Sequence, residues 1–122
     1  MKELYNYLTS CLTISYTIGN RMFPLLAPIN TVKPYIVYHK VSESRGYTLK
    51  GYNSTRVIRY QISVYAETYK SATELSSLIK TALEDWIDVK IDVLTVENEI
   101  DLLDPEAKLY HTAIDFILTY KD

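Results

Sequence analysis

Cysteine is all but absent: the chain has one, Cys11. A lone cysteine excludes an internal disulfide and fits a reducing compartment. Its neighbours at helical spacing are Leu4, Leu8 and Leu12, which favours a packed thiol over a reactive one. Histidine is also scarce, with only His39 and His111. They fall in separate strand-like segments, so no nucleophile, base and orienting group come together, and no catalytic residue is assigned. No His or Cys pair has the spacing of a metal site, and neither metal nor other cofactor is expected. With three glycines, the chain has no phosphate loop and no Gly-x-Gly-x-x-Gly turn. The formal net charge is -2 and no basic cluster exceeds two residues. Binding driven by neutralising phosphates is therefore not favoured. No apolar run reaches the roughly 18 residues that a membrane span requires. Met1-Lys2-Glu3-Leu4-Tyr5 lacks the basic-then-apolar pattern of a secretory signal, so synthesis in the cytoplasm is the expectation.

What is present reads as one globular domain. The 122 residues are 48% hydrophobic and 23% charged, and no composition break divides them. A chain of this length buries about two-thirds of its unfolded surface and needs no staple. Tyrosine is the excess: twelve, against two Phe and one Trp. A tyrosine ring is a large apolar face with a polar tip, suited to half-buried sheets and to interfaces.

Lys2 to about Leu12 places Leu4, Leu8, Cys11 and Leu12 at helical spacing. The β-branched run Thr13 to Ile18 follows, then a Gly19-Asn20 turn signal and a brief strand at Arg21-Met22-Phe23. Pro24 and Pro28 impose an irregular path. Tyr35 to Val41 reads as a strand. Ser42 to Ser54 is polar and reads as a long loop or a projecting hairpin. Thr55 to Ala66 is the clearest strand, with Ile58, Tyr60, Ile62, Val64 and Ala66 on one face. A helix is predicted from about Ser71 to Asp85. Ser71 and Glu74 have capping-box spacing there, with Thr68 as an alternative cap. Ala72, Leu75, Ile79, Ala82, Leu83 and Trp86 form its apolar stripe. Val89 to Val96 alternates as a strand whose phase slips between Val93 and Leu94, the mark of a bulge or a change of face. Glu97 to Asp104 is acidic and leads into the turn Asp104-Pro105-Glu106. Leu109 to Tyr120 alternates again. The order is α-β-β-β-α-β-β, an α+β domain with two helices on one face of a mainly antiparallel sheet.

Several segments, taken in order, resemble a known family. Pro34-Tyr35-Ile36-Val37-Tyr38, then Tyr47-Thr48-Leu49-Lys50-Gly51, then Arg59-Tyr60-Gln61-Ile62-Ser63-Val64-Tyr65-Ala66 are similar to the tail-completion proteins of long-tailed phages and prophages. So is the ending Glu97 to Pro105, continued by Leu109-Tyr110-His111 and Asp115-Phe116. A helix beginning near Tyr69 and Ala72 sits where that family has one, and the resemblance covers roughly residues 2 to 120. It implies an α+β fold and a ring-forming structural protein, commonly of six copies, at the head-proximal end of the tail tube. Its implied partners are further copies of itself, the major tail tube protein and a head-side neck or stopper protein. DNA would be passing cargo only, and the location the virion. A neck adaptor or stopper shares this kind of fold, and a prophage binding module outside the virion is a further alternative.

Interface residues are expected in two places. The polar segment presents Arg45, Tyr47, Leu49, Lys50 and Tyr52, aromatic and basic types that anchor protein contacts. The acidic stretch with Glu97, Glu99, Asp101 and Asp104 is expected to meet Arg56 and Arg59 of a neighbouring subunit, since a head-to-tail ring joins two different surfaces. As an oxygen cluster those acids lack the spacing of the known calcium loop, and a solvated acidic turn is the preferred reading.

Overall fold

The structure, a computed structural model, describes residues 2–28, 30–48, 51–86, 91–104 and 109–121. The elements are α1 Lys2–Ser10, α2 Leu12–Ile18, β1 Met22–Pro24, β2 Tyr35–Thr48, β3 Gly51–Ala66, α3 Tyr69–Glu84, β4 Ile91–Asp104 and β5 Leu109–Lys121. The strands form one sheet in the order β1-β2-β3-β5-β4. β1 runs parallel to β2, and every other pairing is antiparallel. The α+β architecture is as the sequence predicts, with three helices among the described residues where two were expected.

The additional helix comes from a break at Cys11. That residue is extended, with φ -71 and ψ 115. Around it hydroxyls bond back to carbonyls of the preceding turn, among them Thr9 to Tyr5, Ser10 to Tyr7 and Thr17 to Thr13. Such local bonds compete with the regular ladder and bend helices. The β-branched run Thr13 to Ile18 is helical nonetheless, because spacing of four residues lets Ile14 and Ile18 both bury fully. Packing overrides propensity here. The break also turns Leu12 out to 74% exposure while Leu4 and Leu8 are buried, which corrects the single apolar face drawn through all three. Gly19 ends α2 at φ 62, donating its N–H to the Ser15 carbonyl. Arg21 then ties this end to the sheet by donating to the carbonyls of Thr17 and Pro34.

α3 also departs from expectation in its cap. Thr68, not Ser71, is the capping residue: its hydroxyl accepts from the Ser71 N–H at 3.1 Å. The helix therefore begins at Tyr69. Its buried stripe is Ala72, Leu75, Ser76, Ile79 and Leu83, followed by buried Trp86. Tyr7 of α1 stacks on Trp86 at 4.7 Å and donates its hydroxyl to the Ala82 carbonyl at 2.6 Å, which joins the two helices.

The register sorts the sheet into two sides. Ile36, Tyr38, Ile58, Tyr60, Ile62, Val64, Ile114, Phe116, Leu118 and Tyr120 pack with the helix residues into one core cluster. Each fully buried Leu, Ile or Phe in it contributes roughly 1.5–3 kcal/mol. The other side of the sheet carries no helix among the described residues. β2 and β3 run on past the predicted strand ends to Thr48 and from Gly51, so the described residues of Ser42 to Ser54 form a projecting hairpin rather than a loop; Gly51 takes φ 110. β4 is likewise longer than predicted. The acidic stretch Glu97 to Asp104 is strand, paired to β5 from Asn98 onward, and not a solvated turn. Register shifts leave Asp92 and Glu97 as extra residues. The first is the bulge foreseen near Val93, and it puts Leu94 and Val96 on the core while Val93 is 55% exposed. Residues 105–108, in the predicted Asp104-Pro105-Glu106 turn, lie outside the described residues.

Candidate interaction surface

The expected interface residues fall into two groups at opposite ends of the sheet. Arg45 and Arg56 face each other across the β2–β3 hairpin on the helix side, beyond the reach of the helices. With Lys40 they surround one carboxylate: Glu43 lies 3.5 Å from Lys40 Nζ and 3.6 Å from both Arg45 Nε and Arg56 Nη1. The Arg56 guanidinium also lies over the Tyr120 ring, 4.8 Å from its centre, a cation–π contact. The backbones of Tyr47 and Tyr52 pair near the hairpin tip. Leu49 and Lys50 lie outside the described residues.

The acidic group follows β4. Glu97 forms an ion pair with Arg59 of the same chain, and Glu99 pairs with Lys80 of α3. Asp101 accepts from the hydroxyls of Thr112, at 3.1 Å, and Tyr69, at 3.3 Å. Asp104 is opposite Leu109 in the ladder. The structure thus brings Arg59 and Glu97 together within one chain, where the sequence reading placed them on neighbouring subunits. Arg56 stays at the hairpin, beside Glu43. The exposed pairs stabilise little, on the order of 0–1 kcal/mol each.

Between the hairpin base and the end of β1 lies a cleft of about 550 Å³. Its lining includes Pro24, Leu25, Tyr38, Ile58, Tyr60 and Tyr120, with Lys40, Glu43 and Arg56 also in the wall.

The sequence reading missed an aromatic row on the open side. Phe23 meets Tyr35 edge-on at 6.5 Å, Tyr35 stacks on Tyr65 at 5.0 Å, and Tyr65 stacks on His111 at 4.3 Å. Burial pushes the phenol pKa of Tyr35 and Tyr65 up and that of His111 down. His111 Nε2 is buried without a hydrogen-bond partner among the described residues. Beside this row Val37, Ser63 and Ala113 are 9%, 6% and 6% exposed although no helix covers them. Cross-strand register, which a sequence does not print, is what aligns the rings; Tyr35 and Tyr65 become opposite only once the hairpin is drawn. Further along the same side Val57, Val93, Ile100 and Leu102 are 41–55% exposed.

His39 faces Gln61, and Gln61 donates to Asp115 at 3.1 Å, while the Cys11 thiol points to the Tyr7 carbonyl at 3.3 Å. Among the described residues no three His, Cys, Asp or Glu side chains group as metal ligands, and no helix is long and apolar enough to cross a membrane.

Comparison with known proteins matches the arrangement to one family. A family model described as tail completion protein gp17 matches residues 2–121. Among solved structures the fold is similar to a chain of the virion of native gene transfer agent (GTA) particle. The TM-score is 0.79 at 14% identity, covering 98% of this chain and 92% of that one. No curated protein matches by sequence.

Proposed function

This chain belongs to the tail completion protein gp17 family of phage tail structural proteins, and on that premise we propose that it caps the tail tube and joins tail to head as a ring of six copies. The observation that carries the reading is the family match over residues 2–121. In this reading the protein works by assembly. It stops tube growth and presents its far surface to a head-side neck or stopper protein, while DNA passes through the lumen. It is made in the bacterial cytoplasm and ends at the head-proximal end of the tail, and in solution the free subunit is a monomer.

We assign its contacts to the two charged ends of the sheet. Among the described side chains the projecting hairpin offers Arg45 and Arg56, and we extend this contact to Tyr47, Leu49, Lys50 and Tyr52 on the sequence reading alone. β4 offers Glu97, Glu99 and Asp101, with Arg59 beside Glu97, and Asp104 is assigned to the same contact on the sequence reading. Two unlike surfaces are what a head-to-tail ring requires. The test uses tails from a lysate lacking this gene, mixed with purified protein and imaged by electron microscopy. Density at one end of each tail supports the reading. Binding to the heads alone would favour a neck adaptor or stopper, and binding to neither a module outside the virion. Reversing charge at Glu99 and Asp101 impairs assembly while leaving the folded monomer intact; normal assembly of that variant removes β4 from the interface.

A further inference from the structure

The sheet has two open edges of opposite character. β4 is an outermost strand of 14 residues, and no strand pairs with its outer edge among the described residues. At the other side β1 covers only Ile36 to Tyr38 of β2, and Leu25 adds one bond to the Tyr38 carbonyl. From Val41 to Thr48 no strand pairs with the outer edge of β2 among the described residues. Natural proteins blunt such edges with charged side chains, bulges, Pro or a covering segment, because free N–H and C=O groups recruit another strand. β4 contains neither Lys nor Pro; its protection is five acids and the register shifts at Asp92 and Glu97, which leaves the edge to a strand that answers negative charge. Beyond its bulge at Glu97 it is regular, and Ile100, Leu102 and Leu103 are 45–55% exposed.

We propose that β4 of one subunit adds to the open edge of β2 of the next, so that the ring is a continuous sheet of copies of this chain. The proposal rests on the ring reading above. Three observations select a second copy as the occupant. β4 runs antiparallel to β2, so a copy set alongside in the same orientation presents a strand in the direction that pairs best. The two edges differ, so the contact is heterologous and closes a ring rather than a dimer. Their charges also complement. β4 carries five acids and no base, and Asp101 has no cation beside it among the described residues. At the open part of β2, on the same side of the sheet, Lys40, Arg45 and Arg56 surround the single carboxylate of Glu43, which leaves that edge net basic.

Bringing residues 98–104 opposite residues 41–48 requires a shift of about seven residues, roughly 23 Å, along the strands. Such a shear inclines strands to the ring axis, as it does in a closed barrel. Seven paired residues form a narrow contact, below the roughly 800 Å² per partner of a stable standard interface. Subunits are then monomers until the tube end holds them together.

Engineered disulfides test this. In a Cys11→Ser background, Ile100→Cys or Leu102→Cys is combined with Ser42→Cys or Ser44→Cys, all exposed positions on the open side. Within one chain β3 and β5 separate these sites by three strand spacings, about 14 Å. A disulfide needs Cα atoms about 4.4–6.8 Å apart, so any bond formed joins two copies. Oxidised tails carrying the variants are expected to give a ladder of covalent multimers from at least one pair, with loss of most of the monomer band. Subunits present on the tails without a ladder from any of the four pairs overturn the pairing alone. A covalent product with the tube protein instead overturns it and assigns the edge to that partner. Wild-type protein absent from tail ends overturns the ring reading and the pairing with it.

Discussion

Leu8→Ala and Leu12→Ala test the helix break at Cys11, because the two leucines are one turn apart and look alike in sequence. Leu8 is fully buried and Leu12 is 74% exposed. Removing a buried leucine side chain costs about 2–5 kcal/mol, the sum of lost transfer energy and the cavity left behind. Leu8 lies on a peripheral helix that can settle partly into the space, which argues for the lower half, about 3 kcal/mol. Leu12→Ala removes surface already in water and is expected to stay within about 0.5 kcal/mol. At roughly 2.1 cal/mol/K per residue, the unfolding entropy of this chain is about 0.26 kcal/mol/K, so the Leu8 change lowers Tm by about 12 °C. Circular dichroism during thermal and urea unfolding reads both. The urea midpoint should fall for Leu8→Ala with the slope unchanged. Equal losses at the two positions would refute the break and restore one continuous helix with both leucines inside.

Thr68→Ala should cost about 1 kcal/mol through loss of the cap on α3, and Ser71→Ala close to nothing; urea midpoints that reverse this order would return the cap to Ser71. Tyr7→Phe should cost about 1 kcal/mol by removing the 2.6 Å bond to the Ala82 carbonyl while leaving the stack on Trp86, so the Trp86 fluorescence maximum stays in place. A red shift comparable to unfolding would show that the hydroxyl holds the helix pair together. Burial depresses the His111 pKa, so the unfolded chain takes up that proton first. Stability from this residue is complete above about pH 6.5 and is lost as pH falls below it. His111→Gln should flatten that part of the pH profile, and an unchanged slope would assign it to another group.

How much of this was legible in sequence depends on where each segment is buried. Thr55 to Ala66 and Leu109 to Tyr120 are central strands with one face on the core, so alternation is written into them. The helix stripe from Ala72 to Trp86 was legible for the same reason. The segment beyond Ser42 was legible only as a loop or a hairpin, because it lies past the helices and buries no apolar face. The outer part of β4 was not legible, because it is an edge strand whose helix side carries acids in place of core residues. The acidic run at Glu97 to Asp104 was read as a turn on composition, yet its alternation of Glu99 and Asp101 with Ile100 and Leu102 is that of a strand. The Arg59–Glu97 pair within one chain was not legible, because it depends on β3 and β4 both flanking β5, a long-range arrangement. The aromatic row from Phe23 to His111 depends in the same way on register. The family resemblance, carried by the order of several short segments, was the most legible feature of all.

Electron microscopy of lysates with this gene deleted, before and after purified protein is added back, tests the joining role most directly. Filled heads and separate tails in the deletion, converted to infectious particles by the added protein, are the predicted result. Intact infectious virions in the deletion would contradict the account and leave only the fold.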